Sequence, residues 1–93
     1  MVPRVTLQVT PSAGEALDAL HVADPRLADR VERALDLIES DPYSPAVRRR
    51  AMRPANCWMY VISVDGDQDD LAILWALEGD DPVVRYIGSA RFA

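Results

Sequence analysis

The chain has 93 residues, enough for one domain, with 49% hydrophobic and 27% charged residues, the balance of a globular protein. Ten arginines and no lysine stand against fifteen acidic residues, and the net charge of −5 disfavours general binding to nucleic acid or anionic membranes. The lone Cys57 and His21 exclude an intramolecular disulfide, a cysteine-based zinc cage and a histidine-pair metal motif. With neither a membrane-length apolar run nor a signal-peptide-like start, we expect a cytoplasmic protein that uses no metal or other cofactor.

The first third of the chain predicts a strand followed by a helix. Apolar and polar residues alternate over 4–9, which is typical of a half-buried strand. Thr10 precedes a proline and predicts the start of a helix, with Ser12 and Glu15 as an alternative capping box. The helix is expected to end near His21. Its apolar face consists of Ala13, Ala16, Leu17 and Leu20.

A second, longer helix is predicted directly after the first. Asp24 before a proline is a start signal, and Asp41 before a proline is a stop signal. Asp29 and Arg33 lie one turn apart in the order that favours an ion pair. The apolar stripe between these signals consists of Leu27, Val31, Ala34, Leu35 and Ile38. We therefore expect two antiparallel helices joined by a tight corner.

Three or four strands are predicted in the second half of the chain. Residues 47–52 predict a short edge strand, and 57–64 and 83–88 predict two further strands. The almost wholly apolar run 71–77 is typical of a central strand covered on both faces. An aspartate-rich hairpin turn is expected over 65–70. The predicted fold class is α+β, with two helices on one face of a twisted antiparallel sheet.

The densest local feature is a group of four arginines, Arg48, Arg49, Arg50 and Arg53. Outside it six arginines face fifteen acidic residues, so the rest of the chain carries −9. In a strand Arg48 and Arg50 point to one face, where two guanidinium groups can clamp a phosphate and stabilise the charge that builds during RNA cleavage. The alternative is that these arginines solvate a loop or pair with the acidic helices.

Two more arginines lie at the end of the chain. Arg85 is predicted either to join the exposed face of the sheet or to pair across strands with Glu78. Arg91 follows the last strand, at an exit where functional groups often gather. Both are candidates for contact with phosphate.

Aromatic side chains recur on the predicted strands, namely Trp58, Tyr60, Trp75 and Tyr86. They either stack on nucleic-acid bases or, more commonly in a small domain, fill the core. Tyr43 lies in a proline-rich loop and is expected to be exposed. Cys57 is expected to be a small buried hydrophobe, and His21 to have a capping or solvent role.

In the order of these elements the chain resembles the RelE/ParE toxin superfamily of bacterial toxin–antitoxin modules, over nearly its whole length. The matching segments are Thr10-Pro11-Ser12-Ala13-Gly14-Glu15-Ala16-Leu17 after the first strand, Asp41-Pro42 at the end of the second helix, the basic stretch Val47-Arg48-Arg49-Arg50-Ala51-Met52, the strand led by Trp58, and Tyr86-Ile87-Gly88-Ser89-Ala90-Arg91. The last segment looks like the family's Ile-Gly-His-Arg.

The resemblance implies a single RelE/ParE-like toxin domain over 1–93, bound by a cognate antitoxin. RelE-type members cleave mRNA on the ribosome without a metal, by attack of the ribose 2′-hydroxyl on the adjacent phosphate, and so inhibit translation. By position, the resemblance gives a catalytic role to Arg48, Arg50 and Arg91. Contact with RNA phosphate would fall to Arg49, Arg53 and Arg85.

The chain also departs from the family pattern. Met59 stands where the family usually has an arginine, Ser89-Ala90 replaces the histidine before the last arginine, and no general acid or base is evident. Three hypotheses therefore stay open: a RelE-like endoribonuclease, a ParE-like toxin that targets DNA gyrase, and a non-toxic binding module with the same fold. An antitoxin is expected to cover the active face or a groove as an amphipathic helix, with a less acidic, arginine-containing segment.

Overall fold

The computed structural model describes residues 6–45, 47, 48, 50–52, 57–64 and 69–91, with only the backbone at 50–52. Two helices and five strands follow in the order β1 (Gln8–Val9), α1 (Pro11–Ala23), α2 (Pro25–Ser40), β2 (Arg50–Met52), β3 (Cys57–Ile62), β4 (Leu71–Glu78) and β5 (Asp81–Ser89). The predicted α+β architecture, with the two helices packed on one sheet, is confirmed. No helix in the described ranges is long and apolar enough to cross a membrane.

The sheet has the order β1-β5-β4-β3-β2, so the apolar strand β4 is central, as the sequence predicts. The pairs β2–β3, β3–β4 and β4–β5 are antiparallel, whereas β1 runs parallel to β5. The sheet is therefore mixed rather than wholly antiparallel. The reason is that β1 and β5 lie at opposite ends of the chain, where no hairpin turn fixes their relative direction.

Both helices begin at the predicted signals. The Thr10 hydroxyl accepts a hydrogen bond from the Ala13 amide at 3.4 Å, and the Asp24 carboxylate accepts one from the Leu27 amide at 3.2 Å. Thr10 rather than Ser12 is thus the cap, because α1 already begins at the proline between them. Each cap satisfies a backbone donor that the first helical turn leaves without a partner.

The core lies between the helices and the sheet. Trp75 is completely buried at its centre, and its indole N–H donates a hydrogen bond to the Val47 carbonyl at 3.2 Å. The Trp58 ring packs against it with 4.8 Å between ring centroids. The predicted stripe of α2 is buried, which adds Leu27, Val31, Ala34, Leu35 and Ile38 to this core. The prediction that strand aromatics fill the core is therefore confirmed for both tryptophans.

Several predicted boundaries are wrong. β1 has only two residues, both exposed, and its predicted first residues, 4 and 5, lie outside the described part of the chain. β2 begins at Arg50 rather than at residue 47, because the Val47 side chain is buried in the core and its amide donates to the Ser44 carbonyl in a turn. Helix α1 continues two residues beyond His21.

Candidate functional site

Arg48 is enclosed by the protein itself. Its guanidinium carbon lies 4.0 Å from the centre of the Trp58 ring and 4.7 Å from that of the Tyr43 ring. Its Nε donates a 2.6 Å hydrogen bond to the Pro42 carbonyl. A planar guanidinium is suited to this position, because it stacks on aromatic faces while its edge donates hydrogen bonds.

The enclosed position of Arg48 leaves one donor atom unsatisfied. Its Nη2 is buried and has no hydrogen-bond partner among the described residues. A buried donor without an acceptor costs free energy, which the two aromatic contacts offset. Arg48 also precedes β2, so the strand alternation that would place it on one face with Arg50 does not apply. This is a correction to the predicted geometry of the phosphate clamp.

Arg85 and Arg91 are exposed, and each pairs with a carboxylate of the chain. Arg85 Nη2 lies 3.6 Å from Glu78 Oε1, which confirms the predicted cross-strand partner. Arg91 Nε lies 3.4 Å from Asp69 Oδ1. Glu78 ends β4 and Asp69 precedes its first residue, so the two ion pairs lie at opposite ends of a strand about 25 Å long. These two arginines therefore do not share one phosphate-sized site.

The remaining members of the predicted arginine site are not placed. Arg49 and Arg53 lie outside the described residues. Arg50 is the first residue of β2, and its backbone pairs with Met59. The structure does not describe its side chain. The part of the site that the structure does describe is thus Arg48, Arg85 and Arg91.

The face of the sheet away from the helices is mainly apolar where the structure describes it. Strand alternation places there the buried residues Met59, Ala72, Ala76 and Val83, with the half-buried Val61 and Leu74 beside them. The half-buried Tyr86 also lies on this face, and its hydroxyl donates to the Ser89 carbonyl at 2.9 Å. By the same alternation Cys57 and Glu78 also lie on this face, and the Glu78 carboxylate pairs with Arg85.

An open groove of about 390 Å³, the α2 groove, lies between α2 and β3. Its lining includes Arg30, Arg33 and Tyr60. None of these residues belongs to the arginine site predicted from the sequence. Neither arginine makes an ion pair with another described residue, so the predicted pair of Asp29 with Arg33 is absent. The sequence signal that was missed is the spacing of the two arginines, three residues apart on one flank of a helix.

A second groove of about 360 Å³, the α1 groove, lies on the other side of the helical layer. It is lined by apolar side chains and one glycine, namely Ala16, Ala19, Leu20, Ala23, Leu71, Ile87 and Gly88. Val22, the most exposed large hydrophobic residue, lies on the same helix with 86% of its surface accessible. The two grooves therefore differ in chemistry: one contains arginines that pair with no other described residue, and the other is apolar.

The other residues singled out from the sequence have local roles. His21 Nε2 lies 3.4 Å from Glu32 Oε1 and links the two helices. Cys57 is half-buried rather than buried. Tyr43 is exposed as predicted. Within the described ranges no group of three or more metal-ligating side chains comes together.

No family model and no curated protein matches this sequence.

Proposed function

We propose that this chain is a RelE/ParE-like toxin that acts by binding protein rather than by cleaving RNA. The observation that supports this proposal is that Arg48, Arg85 and Arg91 are all engaged by groups of the same chain. A guanidinium clamp needs free cations that lie close together, whereas Arg48 is stacked on aromatic rings and the other two arginines lie at opposite ends of β4. The toxin assignment itself rests on the resemblance of the sequence.

The helix-free face of the sheet supports the same choice. Cleavage by a 2′-hydroxyl group needs a base, an acid and donors aimed at the developing charge. On this face the described side chains are mainly aliphatic, and the Tyr86 hydroxyl and the Glu78 carboxylate are both used within the chain.

We assign the binding of the antitoxin to the α1 groove. Its apolar lining and the exposed Val22 fit the apolar face of an amphipathic helix. Glu15 is exposed on α1 next to the groove residue Ala16 in sequence, and the chain as a whole carries a net charge of −5. The complementary partner is therefore a helix with arginine or lysine beside its apolar stripe.

The two competing functions are RNA cleavage and a non-toxic binding role. Induction of this chain alone in a bacterial host distinguishes both from the proposed protein-binding toxin. We expect growth arrest without new, discrete mRNA ends, and we expect Arg85→Gln with Arg91→Gln to arrest growth equally well. Discrete mRNA ends that disappear in this double variant would instead establish the nuclease. Normal growth with soluble, folded protein would rule out the toxin and leave the binding module. Altered plasmid supercoiling would identify gyrase as the target.

The antitoxin assignment is tested by copurification with the product of the neighbouring open reading frame. Ala19→Arg and Ala19→Glu add similar bulk to the α1 groove but opposite charge. A cationic partner helix is expected to be lost from Ala19→Arg and partly retained by Ala19→Glu. Greater loss with Ala19→Glu would show an acidic partner, and equal retention of both would place the antitoxin elsewhere.

A further inference from the structure

The α2 groove combines features of an anion site that neither the resemblance nor the proposed function assigns. Arg30 and Arg33 both line it from α2. Their guanidinium groups have no carboxylate within 4 Å among the described residues. In a chain with a net charge of −5, two arginines that remain unpaired in one groove form a local positive site.

Two acidic residues of α2 are engaged on the side of the helix away from the α2 groove. Glu32 lies toward α1, where its carboxylate contacts the His21 ring. The Glu39 carboxylate accepts a hydrogen bond from the Leu7 amide at 3.0 Å. At 100° per residue, Glu32 and Glu39 lie on one flank of the buried stripe and Arg30 on the other. Arg30 therefore lies on the flank beside β3, whereas Arg33 lies nearer the outer surface of the helix, where Asp29 and Asp36 are exposed.

The opposite wall of the α2 groove supplies further hydrogen-bonding groups. Tyr60 and Ser63 both line it, and no described residue bonds to the Tyr60 hydroxyl. All four residues from 60 to 63 line the groove, so the wall is the edge of the strand rather than one face. β2 pairs only with Cys57–Met59, and within the described chain the backbone of 60–62 has no strand partner on this side.

We propose that the α2 groove binds the phosphate group of a small phosphorylated molecule. Arg30 and Arg33 would hold the phosphate oxygens, and Tyr60 with the strand edge would hold the remainder of the ligand. A groove of about 390 Å³ matches the space that small ligands occupy. A long polyanion fits less well, because Asp29 and Asp36 lie on the outer surface of the same helix.

The test is a titration of ¹⁵N-labelled protein with inorganic phosphate and with AMP, observed at arginine side chains and backbone amides. We expect saturable shifts confined to 30–37 and 60–63, with AMP binding more tightly than phosphate. Replacing Arg30 and Arg33 together by glutamine should weaken AMP binding by at least about tenfold. Arg26→Gln is the matched control, since Arg26 is exposed on the same helix but does not line the groove. It should leave the affinity unchanged.

Three results would overturn the phosphate site. One is the absence of saturable shifts with either probe, and a second is equal weakening by Arg26→Gln, which shows unspecific attraction. The third is tighter binding of a glutamate-rich heptapeptide than of AMP at the same residues, which assigns the groove to an acidic protein segment. Unchanged melting temperatures of the variants separate lost binding from unfolding. None of these outcomes depends on whether the chain is a toxin.

Discussion

The arginines of the 48–53 cluster and the arginines of α2 have opposite environments. Arg48 belongs to the densest basic stretch of the chain, yet it stacks between two aromatic rings and donates to a backbone carbonyl. Arg30 and Arg33 are interspersed with acidic residues, yet they line an open groove without an ion pair among the described residues. The difference teaches that the density of charge in a sequence does not report its availability on the surface.

The physical cause lies in what each segment packs against. Val47 is buried and its carbonyl accepts the Trp75 indole N–H, which holds the loop against the core. The next residue, Arg48, is therefore placed over Trp58. On α2, helical periodicity alone separates the basic flank from the buried stripe and leaves it in solvent. Tertiary packing decides the first case and local geometry the second.

The largest expected effect tests the core beneath Arg48. Trp75→Ala should lower the free energy of unfolding by about 3–5 kcal/mol, because it removes a completely buried ring and the contact with Trp58. Chemical denaturation measures the change. Trp75→Phe should cost less than Trp75→Ala because it retains an aromatic ring. It should still destabilise the protein, since the Val47 carbonyl loses its donor. A loss below about 1 kcal/mol for Trp75→Ala would contradict the placement of this ring.

The comparison itself is tested by Arg48→Ala against Arg33→Ala. Arg48→Ala should destabilise by about 1–3 kcal/mol, through the lost ring contacts and the lost bond to Pro42. Arg33→Ala should stay within about 0.5 kcal/mol, because its side chain is exposed. If Arg48 occupied an exposed strand position, Arg48→Ala would have as small an effect on stability as Arg33→Ala. Equal effects of the two substitutions would remove the distinction between enclosed and free arginines.

A third variant separates shape from charge at position 48. Arg48→Met preserves an unbranched stem over Trp58 and removes the buried Nη2 that has no partner. It should therefore be less destabilising than Arg48→Ala in the same denaturation experiment. If Arg48→Met is the worse variant, the cation itself rather than its packing holds the loop.

The sequence predicts those features of the fold that depend on residues close together in the chain. The starts of both helices were predictable, since Thr10 and Asp24 act on amides three residues away, and so was the end of α2 before Asp41. The central position of β4 was predictable from its apolar run. The parallel pairing of β1 with β5 was not, because it joins residues about 75 positions apart, such as Gln8 and Val83.

The candidate site was less predictable than the fold. The environment of Arg48 depends on Trp58, which lies on another strand, and no local pattern reveals that contact. The pairing of Arg85 with Glu78 was predictable, because both lie on strands joined by a short turn. The α2 groove was predictable in part, since helical spacing places Arg30 and Arg33 near each other. Its other wall required the register of β2 on β3.

The smallest expected effect concerns the arginines that are exposed and paired. A double-mutant cycle with Arg85→Gln and Glu78→Gln should give a coupling of about 0.2–0.5 kcal/mol, decreasing as salt is added, because both side chains are more than half exposed. Thermal denaturation at low and high salt measures it. Arg85 would then be intermediate between Arg48, which the fold encloses, and Arg33, which has no partner in the part of the chain that the structure describes. A coupling above about 1 kcal/mol would instead place Arg85 with Arg48 as a structural cation.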